Sequence, residues 1–179
     1  MIGMRGEESK DVLRALCKDI GLSKTKTMVE IGCYAGESTE VFAEFCKTVY
    51  AIDPWLDGME LANGTSAGDT LKMEKVVEAA FDKRMANLPG VKKIKAFDQD
   101  VVSDFKDGSL NFVYIDALHT EEELLRQIDM WLPKIKKNGV IGGHDYNERF
   151  PGIMNAVNIK FGKPDKIYHD GGNSWINRV

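Results

Sequence analysis

An apolar run, Met28, Val29 and Ile31, leads into Glu30-Ile31-Gly32-Cys33-Tyr34-Ala35-Gly36-Glu37-Ser38-Thr39, and helical periodicity follows at Val41, Phe42 and Phe45. This reads as a buried strand, a glycine-bearing turn and a helix. Such a turn lets a ligand approach bare backbone amides at the helix N-terminus. A second strand, Thr48-Val49-Tyr50-Ala51-Ile52, ends in Asp53, where nucleoside-binding α/β folds place the carboxylate that grips ribose hydroxyls. Together the two segments point to a nucleoside cofactor. Plainer readings stand beside this one: the glycines also permit tight strand–helix packing, and Asp53 before Pro54 also suits a turn.

The remaining organisation supports an α/β domain. Residues 7–20 carry a helical stripe of Val12, Leu13, Leu16 and Ile20. Further elements are expected at 37–46 (helix), 69–87 (helix), 92–97 (strand), 110–115 (strand), 120–136 (helix) and 140–143 (strand). Thr120, with Glu123 three residues on, suits a helix cap, and Asn138-Gly139 suits the end of that helix. A polar loop with Gly, Asn and Thr spans 57–68 and is expected to order over the site when ligand binds. Strands that read as continuous apolar runs between helices imply a parallel sheet covered on both faces. The C-terminal end breaks the rhythm: Lys166–His169 and Ser174–Asn177, joined by Asp170-Gly171-Gly172-Asn173, read as a hairpin and hence an antiparallel strand.

Composition narrows the partners. With 24 basic and 28 acidic side chains the net charge is −4, and no basic block stands out. A nucleic-acid partner is therefore not expected, because a sequence-independent grip needs clustered Lys and Arg. The lysines at 92, 93, 95, 134, 136 and 137 read as solvated faces. Three cysteines, Cys17, Cys33 and Cys46, lack metal-type spacing and suit a reducing compartment. No apolar run is long enough for a signal peptide or a membrane span, so a cytoplasmic location and no membrane partner are expected. The oligomeric state, including a homo-oligomer, is left open.

These features resemble the class I S-adenosylmethionine-dependent methyltransferases. Glu30-x-Gly32-x-x-x-Gly36 is similar to their first motif, and Asp53 to the acidic residue after their second strand. Phe112-Val113-Tyr114-Ile115-Asp116-Ala117-x-His119 and Trp131-Leu132-Pro133 through Gly142-Gly143-His144-Asp145-Tyr146 resemble the small O-methyltransferase branch of macrocin and catechol types. Tyr34 stands where many relatives have a middle glycine, and Asp145-Tyr146 stands where the catechol type has Asp-Asn, with Asn147 one place later. The resemblance implies a Rossmann-like three-layer sandwich with a mostly parallel seven-stranded sheet and a C-terminal antiparallel hairpin strand. It implies one domain over 1–179, with 1–26 as a helical cap and 27–179 as the core.

The resemblance also assigns expected roles. S-adenosyl-L-methionine would be held by Glu30, Gly32, Tyr34, Gly36, Ser38, Asp53 and Trp55, by Asp98 or Gln99 near adenine, and by Asp116. Asp116 and Asp145 end neighbouring strands and would converge on a divalent cation (Mg, Ca or Mn), with His144 or Asn147 as a further ligand. His119 or His144, with Asp116, would serve catalysis by removing a hydroxyl proton. His169 is taken as incidental and Trp131 as core. The expected activity is methylation of an oxygen on a small-molecule or sugar-like acceptor. The alternatives are a nicotinamide-dependent oxidoreductase, which calls for a full Gly-x-Gly-x-x-Gly turn, and a non-catalytic nucleoside-cofactor-binding module.

Overall fold

The apolar runs become seven strands: β1 (Thr27–Ile31), β2 (Thr48–Asp53), β3 (Val91–Lys95), β4 (Leu110–Ile115), β5 (Ile135–Gly143), β6 (Lys166–Tyr168) and β7 (Ser174–Arg178). The computed structural model describes residues 5–56 and 74–179. Among these residues the strands form one seven-stranded sheet in the order β3-β2-β1-β4-β5-β7-β6. The first five run parallel, while β7 pairs antiparallel with both β5 and β6. Chain direction across the sheet reverses between β1 and β4. At such a switch point the connections leave to opposite faces and open a crevice at the C-terminal strand ends.

The α-helices among the described residues are α1 (Glu7–Asp19), α2 (Glu37–Phe45), α3 (Glu74–Met85), the short α4 (Asp98–Val101), α5 (Glu121–Trp131) and α6 (Pro151–Phe161). Side chains alternate across β4, so its two faces feed different cores. Val113 and Ile115 pack with Leu124, Ile128 and Trp131 of α5 and with Ile153, Ala156 and Val157 of α6. Phe112 and Tyr114 pack with Leu13 and Leu16 of α1 and with Val41 and Phe42 of α2. Covering both faces with apolar stripes makes a three-layer sandwich. No described helix is long and apolar enough to cross a membrane.

Several element ends differ from the sequence expectation. The helix expected over 120–136 stops at Trp131, a 3-10 turn covers Leu132–Lys134, and β5 begins at Ile135. Pro133 has no N–H to continue an α-helix, and it fits the first turn of the 3-10 segment instead. Asn138-Gly139 is thus a bulge within β5 rather than a helix end. Asn138 has φ 65°, and the register against β4 shifts between Leu110 and Phe112. β3 ends at Lys95 because Ala96 and Phe97 leave the sheet to line the crevice. α6, for which the sequence analysis offers no expectation, starts on Pro151, a favoured first-turn residue. The 57–68 loop and the first residues of the helix expected over 69–87 lie outside the described residues.

Candidate functional site

The ends of β1 to β5 open into a cleft of about 700 Å³. Gly32 sits where β1 leaves the sheet with φ 83°, and a Cβ there would lie 1.9 Å from the Asp116 carbonyl oxygen. The glycine is demanded by close packing of β1 on the end of β4, so a side chain would fail even before any cofactor arrives. Gly36 (φ 84°) caps α2, and its Cβ would meet the Phe81 ring at 2.9 Å. It therefore faces α3 and does not line the cleft. Between them Tyr34 adopts φ 47°, the left-handed region that favours glycine.

Asp53 holds this turn together. Its Oδ2 accepts from the amides of Cys33 (2.9 Å) and Tyr34 (3.0 Å), and its Oδ1 from Trp55 (2.8 Å). Burial raises its pKa, and the three amides pull it back. An ionised carboxylate has about four acceptor sites, so capacity for a ribose hydroxyl remains. Trp55 is buried against Phe81, with its Nε1 on the Tyr34 carbonyl at 2.9 Å, and it forms one edge of the cleft. Ser38 also lines the cleft, but its hydroxyl donates to Glu30.

Glu30 lies beneath the glycine turn rather than on the cleft wall. It is fully buried, accepts from Ser38 and from the Thr39 hydroxyl (2.5 Å), and does not reach the cleft wall. Burial pushes its pKa up to about 7, against the pull of the two hydroxyls. It anchors the first turn of α2 from beneath. Asp98 is on the cleft wall, where Arg126 Nη2 and Trp131 Nε1 each donate to one of its oxygens at 3.1 Å. Gln99 is exposed and off the wall.

The far side of the cleft carries a dense ionic cluster. His144 Nδ1 lies 3.3 Å from Asp145 Oδ2 and 3.7 Å from Asp116 Oδ1, and its Nε2 lies 3.4 Å from Asp170 Oδ1. Burial lowers the His144 pKa, but the three carboxylates outweigh it and push it up to about 10. His119 Nε2 approaches Asp145 Oδ2 at 2.8 Å, off the line of an aligned hydrogen bond, and its ring stacks on Phe150 at 4.5 Å. Although Asp145 is largely buried, the two histidines hold its carboxyl well below the usual range. Asp145 also has φ 61°, backbone strain of the kind stored at functional sites. Ligand atoms of Asp116, His144 and Asp145 lie within 4.8 Å of one another, a spacing that could hold a metal ion. Asn147 does not join them: its amide donates to the Gly172 carbonyl (2.7 Å) and its oxygen accepts from the Arg149 amide.

Two members of this cluster escape the sequence analysis. Arg5 bridges Asp116 Oδ2 (3.0 Å) and Asp170 Oδ2 (2.9 Å) from just before α1. Asp170, read from sequence as a turn residue, has a fully buried carboxylate that also accepts from the Ser174 amide and hydroxyl. The Ser174 hydroxyl in turn meets Tyr114 Oη at 2.7 Å. No local pattern signals Arg5, 111 residues from Asp116. The only hint for Asp170 is an acidic residue beside the paired glycines. Gly172 needs its missing Cβ, which would sit 2.1 Å from His144 Cε1. His169 is exposed and pairs with Asn173.

Comparison with known proteins agrees with this architecture. Among solved structures, the O-methyltransferase NovP is 16% identical with a TM-score of 0.68, covering 97% of this chain and 80% of its own. A precorrin 8w decarboxylase from Methanobacterium thermoautotrophicum is 14% identical with a TM-score of 0.64, covering 99% and 88%. The tRNA (m1A58) methyltransferase TrmI from Aquifex aeolicus is 14% identical with a TM-score of 0.60, covering 84% and 52%. The chain spans about half the length of several structures that it matches. At these identities the likeness establishes the fold alone, and a tRNA enzyme among the neighbours leaves the expected exclusion of nucleic acid without support. Comparison with curated proteins by sequence gives no match. A family model described as a methyltransferase domain matches residues 29–146, from the middle of β1 to the residue after Asp145. That span is about two thirds of the chain, and it establishes that the chain belongs to the methyltransferase-domain family, the class I S-adenosylmethionine-dependent enzymes.

Proposed function

We propose that the protein transfers the methyl group of S-adenosylmethionine to an oxygen of a small-molecule or sugar-like acceptor, with His119 taking the hydroxyl proton. The observation that carries this reading is the 2.8 Å approach of His119 to Asp145 on the cleft wall. An alcohol is a weak nucleophile near neutral pH and must lose its proton as it attacks, while alignment with the methyl supplies much of the rest. Asp145 stays ionised beside the imidazole and stabilises it electrostatically once protonated. His144 is a poor base, since with a pKa near 10 it already carries its proton at neutral pH. The Gly32–Gly36 turn would receive the methionine part and Asp53 the ribose.

The donor set of Asp116, His144 and Asp145 also fits a divalent ion, with mixed oxygen and nitrogen ligands suiting manganese or a later metal. An ion bound there would lower the pKa of an acceptor hydroxyl. The Arg5 guanidinium already sits on the other oxygen of Asp116, so the cluster has a fixed positive charge of its own.

The test is release of S-adenosylhomocysteine with a panel of hydroxylated acceptors. His119→Ala is expected to lower kcat by about 10²–10⁴-fold, the usual range for a positioned base, with cofactor affinity unchanged. Transfer is expected to survive a chelator. Loss on chelation with recovery on added manganese would move the deprotonation to an ion at Asp116, His144 and Asp145. No turnover with any acceptor, alongside tight cofactor binding, would favour a binding module.

A further inference from the structure

α5 places Leu124, Gln127, Ile128 and Trp131 on its buried stripe, so one polar residue interrupts an apolar face. Gln127 is 1% exposed and lies on the wall of the cleft. Its Oε1 is buried without a hydrogen-bond partner among the described residues. An unpaired buried amide costs roughly 1–3 kcal/mol, so a glutamine at this position calls for a partner that arrives from the cleft. Its surroundings narrow that partner. The residues on either side of it along α5, Arg126 and Trp131, both bind Asp98, and Ala96, Phe97 and Asp98 form the adjacent wall beyond β3. Asp53, on the neighbouring strand end, is where a ribose would dock. A planar heterocycle attached to that ribose would therefore meet a wall on which Arg126 and Trp131 already hold the Asp98 carboxylate and the buried Gln127 amide oxygen has no partner among the described residues.

We propose that Gln127 reads the adenine of the cofactor, accepting from its 6-amino group and donating to the ring nitrogen beside it. A primary amide presents an acceptor and a donor side by side, the pattern that lets Gln pair two-fold with an adenine edge. Asp98 then acts indirectly, holding α5 in place through Arg126 and Trp131. The proposal rests on the reading of this cleft as the S-adenosylmethionine site.

The experiment is a cycle of two proteins and two ligands measured by calorimetry. The proteins are wild type and Gln127→Met, and the ligands are S-adenosylhomocysteine and its analogue with hydrogen in place of the 6-amino group. Wild type is expected to bind the analogue about tenfold more weakly, the scale of one hydrogen bond whose buried partner is left unsatisfied. In Gln127→Met that penalty is expected to vanish, because the group that accepted from the amine is gone. The ligand-free variant should melt no lower than wild type, since an amide whose oxygen has no partner among the described residues is replaced by an apolar chain of similar length. If that variant fails to fold, Gln127→Leu serves in the same cycle. An equal penalty in wild type and variant would overturn the proposal while leaving the cofactor site intact. Failure of wild type to bind S-adenosylhomocysteine at all would overturn the reading of the cleft itself.

Discussion

Glu30 and Asp53 end adjacent strands with the same functional group, yet their surroundings assign them different work. Asp53 spends three backbone hydrogen bonds on the shape of the glycine turn and stays at the cleft, whereas Glu30 is buried beneath α2. That burial has a pH signature. With a folded pKa of about 7 against an ordinary value of 4.5, the native state binds more protons than the unfolded chain between those limits. Stability from this group is therefore highest below about pH 4.5 and falls as pH rises towards 7. Glu30→Gln removes the dependence. Relative to wild type it is expected to gain on the order of 2–3 kcal/mol between pH 5 and pH 8, at about 1.4 kcal/mol per pH unit of displacement. Urea denaturation at the two pH values measures it, and an unchanged difference would mean that Glu30 ionises freely.

At the scale of elements, the cleft end of the sheet is a junction of segments distant in the sequence. Arg5 ties the segment before α1 to the end of β4 and to the β6–β7 turn, and Asn147 and Asn173 stitch that turn to the segment after β5. Removing one partner of a buried ion pair leaves the other charge uncompensated, at a cost of about 3–5 kcal/mol. Arg5→Ala is therefore expected to destabilise the fold by that order. It should also accelerate hydrogen exchange of the Ser174 amide, whose acceptor Asp170 then keeps only His144 as a cationic neighbour. Exchange at Ser174 as slow as in wild type would show that the hairpin holds Asp170 without help from the N-terminal segment. The hairpin in this molecule is thus both an edge of the sheet and a wall of the site.

At the scale of the molecule, the cleft straddles the switch point, so a bound cofactor would touch the β3-β2-β1 half of the sheet and the β4-β5 half at once. A ligand that binds only the folded state stabilises it by mass action, about 2.7 kcal/mol at a concentration 100 times its Kd. For a chain of this size that corresponds to a rise in Tm of about 5–10 °C. Scanning calorimetry with S-adenosylhomocysteine should show such a rise. A Tm that does not move at saturating ligand would argue against a cofactor site in this cleft.

What the residues disclose on their own is whatever depends on neighbours a few positions apart. Apolar runs marked β1, β2 and β4, the spacing of Leu13 and Leu16 marked α1, and the Gly-rich link marked the hairpin, because burial of one face writes itself into local periodicity. The candidate site was legible where it follows directly from a strand end: Gly32, Asp53, Asp116, His119, His144 and Asp145 all reach the cleft. The bulge at Asn138-Gly139 was misread because that dipeptide serves a helix end and a strand bulge equally well. The direction in which a side chain points, and the partner it meets across the chain, came only with the packed fold. Packing turned Glu30 inward, joined Asp98 to Trp131, paired Arg5 with Asp170 and Asp116 in one charge cluster, and left the Gln127 oxygen on a cleft wall with no partner among the described residues. The Asp98 and Arg5 contacts join residues 33 to 165 positions apart, the Gln127 oxygen has no partner among the described residues, and no short-range pattern encodes either outcome.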